Sequence, residues 1–147
     1  MKILILLRHG QAEPYADTDA QRPLTPAGHE KVAASARALQ KAGYHPTLLL
    51  CSPLLRALQS ARLTGEILGL REQTEALLDG RLSAQGLIDF AHAQLQKTDC
   101  IMLVGHNPNI SLAAGILRQE YTPFAAGGYA VFDLTDAARP KLLKLEA

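Results

Sequence analysis

Ile3 to Leu7 is an unbroken run of aliphatic side chains, and Arg8-His9-Gly10 follows it without a spacer. A strand with one wet face would alternate in polarity. Continuous hydrophobicity marks a strand covered on both faces, as in a parallel sheet packed between helices. Two later runs repeat the pattern. Thr47 to Cys51 leads into Ser52-Pro53, and Asp99 to Val104 leads into Gly105-His106-Asn107-Pro108. Buried strands that each end in polar residues point to a layered α/β architecture.

The segments between these runs read as helices and turns. Gln11 to Pro23 is a polar loop holding two prolines. Thr25-Pro26 then gives a helix N-cap followed by proline at the first helical position, and Gly43 closes that helix. Val32, Ala36 and Leu39 share its buried face. Ser52-Pro53 repeats the cap-and-proline signal for a second helix, with Leu54, Leu58, Ala61 and Leu68 toward the core and Gly69 at its end. Thr74 to Leu78 reads as a short edge strand. Gln85 to Lys97 reads as a helix with Leu87, Phe90 and Leu95 inward, and Ile110 to Arg118 as another. Gly127 to Leu134 and Lys141 to Leu145 close the sheet across a turn at Asp136 to Pro140. The expected fold is a three-layer α/β/α sandwich with a mostly parallel central sheet.

A chain of 147 residues, 48% hydrophobic and 20% charged, suits one globular domain over 1–147 and excludes a disordered one. A formal net charge of +1 offers no basic face for nucleic acid. The first apolar run is too short to cross a membrane or to serve as a secretory signal, so a cytoplasmic protein that is a monomer by default is expected. Cys51 and Cys100 lie at strand edges without a pairing pattern and read as reduced thiols.

In α/β sheets, ligands sit beyond the carboxyl ends of the strands. Those ends carry Arg8-His9, Ser52 with Arg56 one helical turn on, and His106. Parallel strands would gather two imidazoles and two guanidinium groups at one crevice. The set suits a phosphoryl group, which offers several acceptor oxygens and close to two negative charges. Arginine matches it with a planar fork. A neutral imidazole at position 9 can attack phosphorus in line and hold the group covalently until water releases it. Arg8, Arg56 and His106 would meet the charge on the equatorial oxygens. Gly10, Ser52, Arg22 and Asn107 are further candidates for support, with Ser52 read first as a helix cap. No carboxylate cluster is available for magnesium, so neither metal nor cofactor is expected.

Four blocks carry a resemblance. LLRHGQAEP at Leu6 to Pro14, RPLTPAGHEKV at Arg22 to Val32, CSPLLRALQSA at Cys51 to Ala61 and VGHNP at Val104 to Pro108 resemble, in order, the signature blocks of the histidine phosphatase, or phosphoglycerate mutase-like, superfamily. The resemblance implies His9 as nucleophile, Arg8 and Arg56 as phosphate ligands, and His106 as a further residue of the phosphate pocket. The short chain and the Arg-Pro-Leu-Thr block look most like the SixA-type phosphohistidine phosphatases, which lack a large cap insertion. That subgroup implies a histidine-phosphorylated substrate protein, either a phosphotransfer domain or a phosphocarrier.

Relatives that cleave phosphate esters place a glutamate after the second helix to protonate the leaving alkoxide. The nearest counterpart is Asp79, a candidate weak acid. An imidazole leaving group, with a pKa of about 6.5, needs such an acid far less. Rival readings are a small-ester phosphatase, which needs that acid, a mutase, and a non-catalytic phosphohistidine-binding module. A metalloprotein using His9 and His106 is opposed by the flanking arginines.

Overall fold

The computed structural model describes residues 1–147. Its strands are β1 (Ile3–Arg8), β2 (Leu48–Cys51), β3 (Gln73–Thr74), β4 (Cys100–Gly105), β5 (Tyr129–Asp133) and β6 (Lys141–Glu146). Its helices are α1 (Pro26–Lys41), α2 (Leu55–Leu68), α3 (Ala84–Leu95) and α4 (Asn109–Arg118). The strands form one sheet in the order β3-β2-β4-β1-β5-β6. The β3, β2, β4 and β1 pairings are parallel, and β5 and β6 close the sheet antiparallel. The architecture is the mostly parallel three-layer sandwich expected, with no large insertion.

The strand pleat divides the core. Leu4, Leu6, Leu50, Ile101 and Leu103 face α3 and α4, which contribute Leu87, Ile88, Leu95, Ile110 and Leu117. Ile3, Ile5, Leu7, Leu49, Cys51, Met102 and Val104 face the opposite way, toward Val32 and Leu39 of α1 and Ala57 and Ala61 of α2. Both faces of each central strand are therefore buried, which is why the sequence shows runs rather than alternation. Both cysteines are free thiols.

Caps and stops fix the helix ends. The Thr25 hydroxyl accepts from Gly28 N at 2.9 Å, and Ser83 does the same for Gly86 N at 3.0 Å. Gly43 and Gly69 take left-handed φ values of 88° and 81° just beyond α1 and α2. Gly28 is required by contact instead. A Cβ there would stand 2.2 Å from the Gln11 carbonyl oxygen, so only hydrogen lets α1 touch the loop after β1.

Several local expectations are corrected. The second helix does not open at Ser52-Pro53. It begins at Leu55, and Leu54 at the cap position has no polar group with which to bond the first turn, while the Ser52 hydroxyl accepts from Leu54 N at 3.1 Å. The buried face of α2 holds Ala61 as expected, with Leu58 and Leu68 packed half-buried against the core, but its innermost residues are small or polar: Arg56, Ala57, Ser60, Thr64 and Gly65 are inside and Leu54 is half-buried. Small residues let α2 lie close to the sheet, and Ser60 and Thr64 satisfy their hydroxyls on carbonyls one turn back. The edge strand is only Gln73–Thr74, and Ala76–Leu78 forms a 3₁₀ turn. Phe90 is partly buried. The polar loop contains a 3₁₀ turn at Asp19–Gln21 and an isolated bridge between Ala12 and Leu24.

Candidate active site

Pairing register brings the two histidines together. Arg8 stands opposite Gly105 on the neighbouring parallel strand, and His9 N donates to Gly105 O at 3.1 Å. The chain leaves β1 and β4 side by side, so the His9 and His106 rings lie edge to face with centroids 4.9 Å apart. Ser52 N donates to Val104 O at 3.1 Å, which sets the end of β2 beside them. An open cavity of about 610 Å³ lies over these strand ends. Arg8, His9, Arg22, Arg56, Asp79, His106 and Asn107 all line it, together with Gln11 and Asp19. Gly10 and Ser52 stand behind the lining.

His9 is held in one tautomer. Its Nδ1 lies 2.7 Å from Gly10 O, an acceptor only, so Nδ1 carries the proton and Nε2 keeps its lone pair. Burial, opposed by that hydrogen bond and reinforced by Arg56, Arg8 and Arg22, lowers the pKa to about 4. Gly10 is fixed in turn by its N–H on the Ser60 hydroxyl at 3.0 Å. Its lack of a side chain serves packing rather than anion access, since a Cβ would meet Val32 at 2.8 Å and the Gly28 carbonyl at 2.9 Å. Gly105 is under no such constraint, because a Cβ there would make only ordinary contact with Ile110. An NMR titration of the His9 ring should find its midpoint near 4; a midpoint above 6 would contradict this environment. The sign for stability follows. Between about 6.5 and 4 the unfolded chain binds protons that the native ring refuses, so stability falls as pH drops through that window.

His106 is held by Ser52. Its Nε2 lies 2.7 Å from Ser52 Oγ. The fully buried serine hydroxyl already accepts from Leu54 N and has no other acceptor within reach, so its hydrogen points to Nε2. The proton of neutral His106 then sits on Nδ1, free of any internal bond and available to an anion. Burial first, then His9 and Arg56, lowers this pKa to about 4 as well. Ser52→Ala should release the ring and cost roughly tenfold in kcat/KM, the worth of one hydrogen bond. Ser52→Thr, retaining the hydroxyl, should recover most of it.

The arginines are braced from outside the conspicuous motifs. Arg8 Nη1 donates to Phe124 O at 2.8 Å, and Asn107 Nδ2 reaches the same carbonyl at 3.2 Å. Asn107 Oδ1 accepts from the Ser111 hydroxyl at 2.7 Å, and that hydroxyl accepts from Phe124 N at 3.0 Å. Asn107 is thus a strut between α4 and the Phe124 loop. Arg56, only 7% exposed, donates to Asp19 O at 2.9 Å and to Asp19 Oδ2 at 3.1 Å. Arg22 Nε donates to Asp19 Oδ1 at 2.9 Å and its Nη1 to Glu13 O at 3.1 Å. The Nε atoms of Arg8 and Arg56 are buried without partners.

Asp19, Ser60 and Phe124 carry this geometry, and nothing in the sequence marks them. Asp19 and Ser60 look like ordinary loop and helix polarity, and the contribution of Phe124 is a backbone carbonyl. Asp79 lines the cavity but is bound by Arg81, whose Nε and Nη2 lie 3.0 and 2.8 Å from its two oxygens. The Arg81 hydrogen bonds hold its pKa below the ordinary aspartate value. Arg22 and Arg56 do the same to Asp19.

A cavity of imidazoles and braced guanidinium groups beyond the ends of parallel strands defines a phosphatase. The chain belongs to the histidine phosphatase superfamily, branch 1, whose sequence model matches residues 4–83. It is 36% identical over 111 residues to an uncharacterized protein of Picosynechococcus, covering 73% of this chain and 67% of that one. Its fold is that of the protein histidine phosphatase SixA complexed with tungstate, with a TM-score of 0.83, 23% identity and coverage of 99% and 96% of the two chains. The mycobacterial glucosyl-3-phosphoglycerate phosphatase shares the fold at a TM-score of 0.73 and 19% identity, covering 100% of this chain and 99% of that one.

Proposed function

We propose that the protein hydrolyses phosphohistidine carried on another protein, through a covalent phosphohistidine at His9. The observation that carries this reading is the His9 Nδ1–Gly10 O bond, which leaves Nε2 as a neutral nucleophile in an arginine-lined cavity. Nε2 attacks phosphorus as the P–N bond of the substrate breaks, and the leaving imidazole takes a proton from solvent. Water then displaces His9 and releases inorganic phosphate. Arg8, Arg56 and the Nδ1–H of His106 meet the oxygens throughout. The two guanidinium groups fill the role a metal ion plays elsewhere, so activity should survive a strong chelator.

Two features favour a P–N over a P–O substrate. Both cavity carboxylates, Asp19 and Asp79, are held ionised by arginines, so neither offers a proton to an alkoxide. The cavity also stands open, which suits a phosphate borne on a folded partner. The rival reading, a small-ester phosphatase, draws on the fold shared with the glucosyl-3-phosphoglycerate phosphatase. Rapid quench with a histidine-phosphorylated phosphotransfer domain should trap an acid-labile, base-stable label on His9. Equal or faster turnover of sugar phosphates would reverse the choice.

A further inference from the structure

Among the exposed large apolar side chains, Leu112, Ile116 and Tyr121 are 55%, 47% and 85% exposed and sit on α4 or the turn beyond it. Helix geometry makes the first two part of a line. Pro108, Leu112 and Ile116 are four residues apart, about 6 Å per step along the axis, and stack on one side of the helix. Pro108 is itself exposed and forms part of the cavity rim. The stripe therefore starts at the mouth of the phosphate site and runs roughly 12 Å from it. Beside its far end lies a groove of about 410 Å³ with Leu112, Ile116 and Tyr121 on its apolar side and Gln119, Glu120 and Thr122 on its polar one. Little charge interrupts this surface: Arg118 and Glu120 are paired at 2.9 Å.

We infer that the stripe Pro108–Leu112–Ile116 docks the apolar face of a helix bearing the phosphohistidine of the partner. This rests on the phosphohistidine reading above. Once a phosphohistidine enters the cavity, the backbone that carries it must lie against the rim. Two helices pack with axes about 8–10 Å apart, a span that a histidine side chain can bridge. Apolar residues one and two turns from the phosphohistidine would then meet Leu112 and Ile116 at matching intervals. The missing charge argues against an acidic peptide. A patch of this kind measures on the order of a few hundred Å², well short of the roughly 1,000 Å² that a stable assembly buries. It suits a transient substrate encounter better than a second copy of this chain.

The test compares wild type with Leu112→Glu/Ile116→Glu on two substrates. One is a histidine-phosphorylated phosphotransfer domain, and the other is phosphoramidate, which needs no docking. The double variant should lose roughly tenfold or more in kcat/KM on the phosphoprotein, with phosphoramidate hydrolysis and thermal stability unchanged. Leu143→Glu, a matched change on β6, should affect neither substrate. Equal phosphoprotein turnover by wild type and double variant overturns the docking surface while leaving the phosphohistidine reading intact. So does a wild-type dimer in sedimentation that the double variant dissolves. Wild type that hydrolyses phosphoramidate but not the phosphoprotein overturns the phosphohistidine reading itself, and the docking surface with it.

Discussion

His9→Ala is expected to abolish turnover, with a loss of roughly 10⁵-fold or more, the scale seen when a covalent nucleophile is removed. The mechanism asks this side chain for a bond to phosphorus, and no neighbour can replace it. His106 stands beside it, but its Nε2 lone pair is taken by the Ser52 hydroxyl and its Nδ1 bears a proton. The ring also makes little contribution to the core, so the variant should fold. Circular dichroism and a melting curve check the fold, and single-turnover labelling checks the chemistry. Residual phosphoenzyme at more than a per cent of the wild-type level would mean that another atom carries the phosphoryl group.

Arg56→Ala should cost roughly 10²–10⁴-fold in kcat/KM, the range for removing a charged donor from a phosphoryl-transfer site. The effect has two parts. The fork that would meet the equatorial oxygens disappears, and Asp19 loses its anchor on α2. Held then by Arg22 alone, the carboxylate would be less neutralised and would repel the incoming phosphate more strongly. Arg56→Lys keeps the charge without the fork and should fall between the two. Adding Asp19→Asn to Arg56→Ala separates the parts: recovery of several-fold in KM measures the repulsion, and no recovery assigns the whole loss to the missing guanidinium.

The sheet was legible because its central strands are buried on both faces and announce themselves as apolar runs. The start of α1 was legible because Thr25-Pro26 forms a capping signal that the structure uses. The start of α2 was not, since Ser52-Pro53 shows the same signal while the Ser52 hydroxyl serves Leu54 N and His106 instead. The inward face of α2 escaped hydrophobic periodicity because it is made of small and polar groups that satisfy one another. His9, Arg8, Arg56 and His106 could be placed from sequence because each follows a recognisable strand. Asp19 and the Phe124 carbonyl could not. One lies in a polar loop whose position depends on tertiary pairing, and a main-chain oxygen has no residue type.

β1 precedes the other strands of the sheet in sequence, yet it occupies an inner position, between β4 and β5. β4 begins 97 residues after the start of β1, and β5 begins 126 after it. This apolar first strand therefore gains its partners only through contacts distant in sequence, the kind of pairing that slows folding. The same pairing makes the site a long-range product of the fold: without β4 there is no His106 and no strand beside which the His9 ring is set.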